Sequence, residues 1–141
     1  VNIRIAGGEM TREPYEFREL LQRECLDVFQ PDAVCSMGIG GLRKLAFEVE
    51  KDGKIFTPHT WGNGIGVMAN FQLTAGTVGA PCIEFPYEPP DWSTARRDYP
   101  LKETIEVDNE GWITLSDKPG LGIELDEERL QQTLSKQATF S

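Results

Sequence analysis

Short apolar runs closed by Gly or Pro recur along the first two thirds of the chain. Residues 2–6 are followed by Gly7-Gly8-Glu9, residues 26–29 by Gln30-Pro31-Asp32, residues 54–57 by Pro58-His59-Thr60-Trp61, and residues 81–83 by Glu84-Phe85-Pro86. Runs of this kind at a regular period predict four buried parallel strands. Between them the apolar spacing becomes helical. Thr11 is placed to cap a helix with Phe17, Leu20 and Leu21 on its apolar face and Cys25 as a candidate extension; Glu13, Glu16 and Glu19 lie near its positive end. Leu42, Leu45, Ala46 and Val49 follow the i, i+3, i+4, i+7 pattern, and Gly53 is a natural stop. Residues 64–77 are apolar nearly all round (Ile65, Met68, Ala69, Phe71, Leu73), which predicts a helix buried on more than one side. Strands alternating with helices define an α/β fold with a parallel sheet.

From about Tyr99 the pattern changes. Residues 104–107 and 112–115 alternate around Asp108-Asn109-Glu110-Gly111, which predicts a hairpin. Residues 118–122 read as loop. Asp126 is placed to cap a polar helix containing Leu130 and Leu134, and residues 137–141 are expected to fray. This tail carries no evident chemistry and reads as packing or docking.

Composition narrows the classes of function. The 141 residues are 39% hydrophobic and 26% charged, values of a globular chain. With 14 basic against 23 acidic side chains the net charge is −9, which disfavours nucleic acid as a partner because phosphate binding needs a basic footprint. No apolar run approaches the roughly 20 residues of a membrane span. The three cysteines, Cys25, Cys35 and Cys82, are odd in number and lack CxxC spacing, so buried, reduced thiols in a cytoplasmic protein are expected. The sequence starts without Met, already in a strand-like run and with no signal-peptide pattern, which raises the expectation of a fragment or processed product.

The polar residues just past the four predicted strands are Glu9, Asp32, His59 and Glu84, at intervals of 23, 27 and 25 residues. Any one of them could simply cap the next helix. Four in phase, including the only His of the chain, fit the way an α/β barrel converges side chains on one mouth. An imidazole titrates near neutrality and suits a general base. A carboxylate one strand away, Asp32, can bond the other ring nitrogen and fix the tautomer. Glu9 is a hard oxygen ligand suited to Mg²⁺, and Glu84, as a protonated acid, can donate to a substrate oxygen. Together these groups suit abstraction of a proton next to a carboxylate, with an enediolate held by metal and acid.

Ile5-Ala6-Gly7-Gly8-Glu9, Gln30-Pro31-Asp32-Ala33, Thr57-Pro58-His59-Thr60-Trp61-Gly62 and Ile83-Glu84-Phe85-Pro86, in this order and spacing, resemble the mandelate racemase and muconate lactonizing enzyme family of the enolase superfamily. Pro119-Gly120-Leu121-Gly122-Ile123 and the acidic helix after it are similar to that family's C-terminal tail. The resemblance implies the C-terminal half, about four βα units, of a (β/α)7β TIM-like barrel in residues 1–98, and in 99–141 a tail with hairpin and helix that would pack on a capping domain. It implies Glu9 as a Mg²⁺ ligand after barrel strand five, Asp32 and His59 as the catalytic dyad after strands six and seven, and Glu84 as the catalytic acid after strand eight. The substrate class it implies is a small carboxylate, most of all an acid sugar undergoing dehydration; racemisation, epimerisation and cycloisomerisation are the alternatives. The remaining Mg²⁺ ligands, the first half of the barrel and the capping domain would lie outside this chain, and a homo-oligomer is the expected assembly. One carboxylate would hold Mg²⁺ poorly and half a barrel leaves strand edges open, so the 141 residues alone are expected to be weak or inactive.

Dehydration is preferred because His59 can serve first as base and then as the acid that helps hydroxide leave, whereas racemisation needs a second base on the opposite face. The rival class is a non-catalytic folding or assembly unit. Gly62-Asn63-Gly64-Ile65-Gly66 is not a GxGxxG dinucleotide motif and can equally open a helix. Gly38-Ile39-Gly40-Gly41 could bind an anion at a helix start, but a tight loop is the commoner explanation. Arg96-Arg97 reads as a solvated pair with Asp91 and Asp98. Trp61 and Trp92 can wall a substrate site or fill the core, which the sequence does not separate.

Overall fold

Two prolines mark where the strands end. In the computed structural model of the protein, which describes residues 2–78 and 80–135, β1 (Ala6–Gly7), β2 (Val28–Phe29) and β3 (Ile55–Phe56) form a parallel sheet in that order. Ala6 pairs with Val28, and Val28 with Ile55. The paired segments are shorter than the predicted runs. Pro31 and Pro58 bring no N–H to a ladder, and at Gly8 the chain turns with φ +107°, a conformation that favours glycine. Single bonds nonetheless carry the register onward: Gln30 N–H donates to the Gly7 carbonyl at 2.8 Å, Thr57 to Phe29 at 3.0 Å and His59 to Pro31 at 3.1 Å.

Helices α1 (Pro14–Gln22) and α2 (Gly38–Lys51) join successive strands, and α3 (Gly64–Ala75) follows β3. α1 begins at Pro14 rather than after Thr11: proline suits the first helical position, and the Glu16 carboxylate takes the N–H groups of Glu13 and Arg12 at 3.0 and 3.2 Å. It stops at Gln22, and Glu24 has φ +52°, so Cys25 leaves the helix and is exposed. Cys35 and Cys82 are also free and exposed, which corrects the expectation of buried thiols. Leu42, Leu45, Ala46 and Val49 on α2 are buried as their spacing predicts. They pack with Phe17, Phe29, Phe56 and Leu73. Full burial of a Phe or Leu side chain contributes about 1.5–3 kcal/mol, so this cluster holds the helices onto the sheet. α3 serves two cores at once. Its Leu73 joins that cluster while Val67, Met68 and Phe71 pack with Leu101 and Ile105.

The fourth predicted strand, residues 81–83, is not paired as a strand. Pro81 has no N–H to offer, and the segment is tied to the end of β3 by the Thr57 hydroxyl, which donates to the Cys82 carbonyl at 2.8 Å. In the tail the predicted hairpin forms its turn but not its ladder. Asp108 N–H donates to the Trp112 carbonyl at 2.9 Å, and residues 104–107 and 112–115 are otherwise outside any strand. The reason lies in Arg97 and Asp98, which occupy both main-chain groups of Ile105: Arg97 Nη2 donates to the Ile105 carbonyl at 2.7 Å, and Ile105 N–H donates to Asp98 Oδ2 at 2.8 Å.

Arg97 is therefore not the solvated residue its local sequence suggests. It lies at the end of the short helix α4 (Thr94–Arg97) with 0% exposure, and Asp98 with 1%. Arg96 alone keeps the surface position, its guanidinium donating to the Asp91 carbonyl at 2.8 Å. α5 (Glu127–Thr133) starts at its predicted cap, where Asp126 Oδ1 accepts the Arg129 N–H at 3.0 Å. Leu130 lies within α5 and Leu134 just beyond it; residues 137–141 lie outside the described residues. No helix among the described residues is long and apolar enough to cross a membrane.

Asp27 fastens the opposite end of the sheet. Its Oδ2 accepts the Ile5 N–H at 3.0 Å and its Oδ1 meets Lys54 Nζ at 3.3 Å. The Ile5 hydrogen bond first, and Lys54 next, hold this carboxyl below the ordinary carboxylate range. A depressed folded-state value means that its contribution is present above the ordinary range and is lost as pH falls through the lowered value. Asp27→Ala is expected to accelerate amide hydrogen exchange at Ile5 while α2 stays protected. The parent should show the same selective loss on acidification. Unchanged exchange at Ile5 in the variant would contradict this.

Candidate functional site

Glu9, Asp32 and His59 follow the carboxyl ends of β1, β2 and β3, and the bond from His59 N–H to the Pro31 carbonyl seats the histidine beside Asp32. Asp32 is 1% exposed. Its Oδ1 accepts the Val34 N–H at 2.8 Å, an Asx turn, and the Asn70 amide at 3.0 Å. Its Oδ2 meets His59 Nδ1 at 3.0 Å. An ionised carboxylate has no donor, so the bond requires a proton on Nδ1 and, in the neutral ring, leaves the lone pair on Nε2. Nε2 faces Glu9 Oε2 at 3.3 Å and Glu84 Oε2 at 3.9 Å. Glu84 is held by the Thr60 N–H, which donates to Oε2 at 2.7 Å. The structure thus brings all four predicted residues to one place, with His59 at the centre.

The Nε2 edge is rich in electron pairs on the sides that Glu9 and Glu84 occupy. Such an arrangement needs a proton or a cation between the groups. Glu9, with its side chain 56% exposed, is available as an oxygen ligand. Among the described residues, however, no group of three His, Cys, Asp or Glu side chains is arranged to hold a metal ion. Mg²⁺ demands near-octahedral oxygen ligation; Glu9 fits as one ligand, and the described residues do not supply the rest of the set.

Two contributors were not read from the sequence. Asn70, buried on α3, donates to Asp32 and accepts the Ala33 N–H at 2.8 Å. The signal available for it was an amide in an otherwise apolar run. The Thr60 main chain orients Glu84, and no residue pattern announces a backbone donor. Trp61 is 43% exposed and stacks on Trp92 with centroids 6.1 Å apart, and the Arg96 guanidinium lies 5.4 Å from the Trp92 ring. Trp61 is therefore not core. The glycine-rich segment after it is a helix start, with Asn63 Oδ1 accepting the N–H groups of Ile65 and Gly66 at 3.1 and 3.3 Å.

Comparison with known proteins finds similar sequences and a similar fold elsewhere. Residues 1–129 match the family model described as enolase C-terminal domain-like. The chain is 31% identical over 134 residues to the D-galactarolactone cycloisomerase of Agrobacterium fabrum, covering 92% of this chain and 35% of that protein. It is 31% identical over 122 residues to the arabinonate dehydratase of Saccharolobus solfataricus, covering 86% and 31%. Its structure matches the mandelate racemase/muconate lactonizing enzyme-like protein from Roseovarius sp. TM1035 with a TM-score of 0.79 at 29% identity, over 91% of this chain and 31% of that one. The chain spans about a third of the length of these curated relatives.

Proposed function

This chain belongs to the enolase C-terminal domain-like family, and from that premise we propose that it carries the base and the acid of an acid-sugar dehydratase of the mandelate racemase type, working as part of a longer chain. In this proposal residues 1–98 are the C-terminal half of a (β/α)7β barrel and residues 99–141 a tail that packs on a capping domain; the protein is cytoplasmic and homo-oligomeric. The observation that supports the reading is the His59 ring held between Asp32 on Nδ1 and the Glu9–Glu84 side on Nε2.

The chemistry follows from those atoms. His59 Nε2 takes the proton α to the substrate carboxylate, and the electron pair moves into an enediolate. Asp32 stabilises the resulting imidazolium through Nδ1. Glu84, protonated, donates to a carboxylate oxygen as charge develops there. The imidazolium then returns its proton to the β-hydroxyl as the C–O bond breaks, so water leaves and the enol product ketonises to a 2-keto-3-deoxy acid. Glu9 would be one ligand of Mg²⁺, the others lying outside this chain, and the ion would supply charge neutralisation of the enediolate.

The test is a panel of acid sugars and their lactones offered, with Mg²⁺, to a chain that includes the complementary barrel segments. Formation of a 2-keto-3-deoxy acid, one water lighter than its substrate, is the expected result. Lactone conversion without loss of water would replace dehydration by the cycloisomerisation named for the Agrobacterium fabrum relative. No turnover of any member would leave the chain a non-catalytic folding unit.

A further inference from the structure

Asn70 is 1% exposed and sits in the middle of α3, among residues that are mostly apolar. Both polar atoms of its side chain are engaged. Oδ1 accepts the Ala33 N–H at 2.8 Å, and Nδ2 donates to Asp32 Oδ1 at 3.0 Å and to the Gly66 carbonyl at 3.4 Å. Only one orientation of the amide satisfies these partners. A flip would set its oxygen against a carboxylate and a carbonyl, and its NH₂ against an N–H. A buried amide within a helix contributes nothing to apolar packing that Leu would not, and it costs free energy unless fully bonded. What Asn70 reaches is the carboxylate that holds His59.

We infer that Asn70 is a positioning residue for the Asp32–His59 pair: by occupying Asp32 Oδ1 and the Ala33 N–H it fixes the rotation of the carboxylate so that Oδ2 alone is presented to His59 Nδ1. The other bond to Oδ1, from Val34 N–H, is local and ties Asp32 only to its own turn. Asn70 ties that turn to α3, the helix that begins five residues after His59, so the two halves of the pair are held by one cross-link. The consequence is a fixed geometry for the bond from Nδ1 to Asp32 Oδ2, and with it a fixed direction for the ring and its Nε2. The catalytic part of this inference rests on the proposed function; the part about the Nδ1–H bond does not.

The test uses ¹⁵N-histidine-labelled protein, the His59 signals being identified by their loss in His59→Gln. In the parent, the His59 Nδ1–H proton is expected to be observed and to exchange slowly with water, as in a fixed hydrogen bond. In Asn70→Leu, which matches the size of the amide, and in Asn70→Ser, which is smaller, that signal is expected to be lost through faster exchange with water while the circular dichroism and unfolding transition show a folded protein. Two variants of different size are used so that one failing to fold leaves the other to decide. In a chain competent for turnover, kcat is expected to fall about 10- to 100-fold with KM unchanged, the loss typical when the group orienting an essential ligand is removed. An Nδ1–H proton as slow to exchange in a folded variant as in the parent would overturn the inference and leave Asn70 a packing residue. If the parent itself turns over no acid sugar, the proposed function fails, and the Nδ1–H exchange still decides the role of Asn70.

Discussion

His59→Asn is expected to lower kcat about 10²–10⁴-fold, the range associated with loss of a positioned general acid–base, while leaving KM and the unfolding transition near those of the parent. Asn is small enough for the site and keeps an amide to donate toward Asp32 Oδ2, the partner that holds Nδ1 in the parent at 3.0 Å. It cannot accept the α-proton or return it to a leaving hydroxyl. The histidine side chain is 22% exposed and faces the Glu9–Glu84 side rather than the core, so little packing is lost. Asp32→Asn should fail differently. An amide opposite Nδ1 no longer selects the proton-bearing nitrogen, and the buried Asn70 amide and the half-buried Val34 N–H bond lose a charged acceptor, so both kcat and stability should fall. A His59→Asn enzyme retaining parental kcat would show that the base lies elsewhere.

The largest expected effect on stability is at Asp98. Arg97 is fully buried, with Nε 2.7 Å from Asp98 Oδ1 and Nη2 2.6 Å from Oδ2. Its remaining donors reach the carbonyls of Pro86 at 3.1 Å and Ile105 at 2.7 Å, and its guanidinium lies 4.2 Å from the Phe85 ring. Asp98→Ala strands this charge without its carboxylate and orphans the Ile105 N–H. Breaking a buried pair from one side typically costs about 3–5 kcal/mol, a large fraction of the stability of a domain this size. Replacing both partners by apolar residues, Arg97→Met with Asp98→Leu, should cost less than Asp98→Ala alone, because no charge is left buried. Gly64 belongs to the same device. A Cβ there would come within 2.6 Å of Leu101 Cδ1 and 2.7 Å of Asp98 Oδ1, so the first turn of α3 can approach the pair only as glycine. Urea midpoints of the three proteins check this. An Asp98→Ala midpoint equal to the parent's would contradict it. The device also bears on the site, since Pro86, two residues beyond Glu84, is one of the groups Arg97 holds.

The periodic parts of the molecule were legible in the sequence because each local pattern there agrees with the tertiary environment. Leu42, Leu45, Ala46 and Val49 lie on one helical face and that face is buried. The convergence of Glu9, Asp32 and His59 was legible for the same reason: in a parallel sheet whose strands all run one way, residues just past each strand come to one end. Glu84 follows a run that is not paired as a strand, and the bonds from Thr57 and Thr60 hold it there instead. What could not be read depends on contacts distant in sequence. Arg-Arg-Asp looks like surface, and nothing local shows that the carbonyls of Pro86 and Ile105 await the second arginine. Because Ile105 spends its main-chain groups on that pair, an alternating segment with a good turn does not become a hairpin. Asn70 bonds residues 37 and 38 positions away, a distance at which helical periodicity carries no information. Thr11 and Pro14 are both acceptable near a helix start, and the Glu16 carboxylate, bonded to the N–H groups of Glu13 and Arg12, favours the later one.

The most direct measurement is exchange of the α-proton. A chain containing the complementary barrel segments, incubated with Mg²⁺ and an acid sugar in D₂O, should exchange the hydrogen on the carbon next to the carboxylate or transfer deuterium to the product. That exchange should disappear in His59→Asn. Turnover with the α-hydrogen retained, or exchange undiminished in His59→Asn, would contradict proton abstraction by His59.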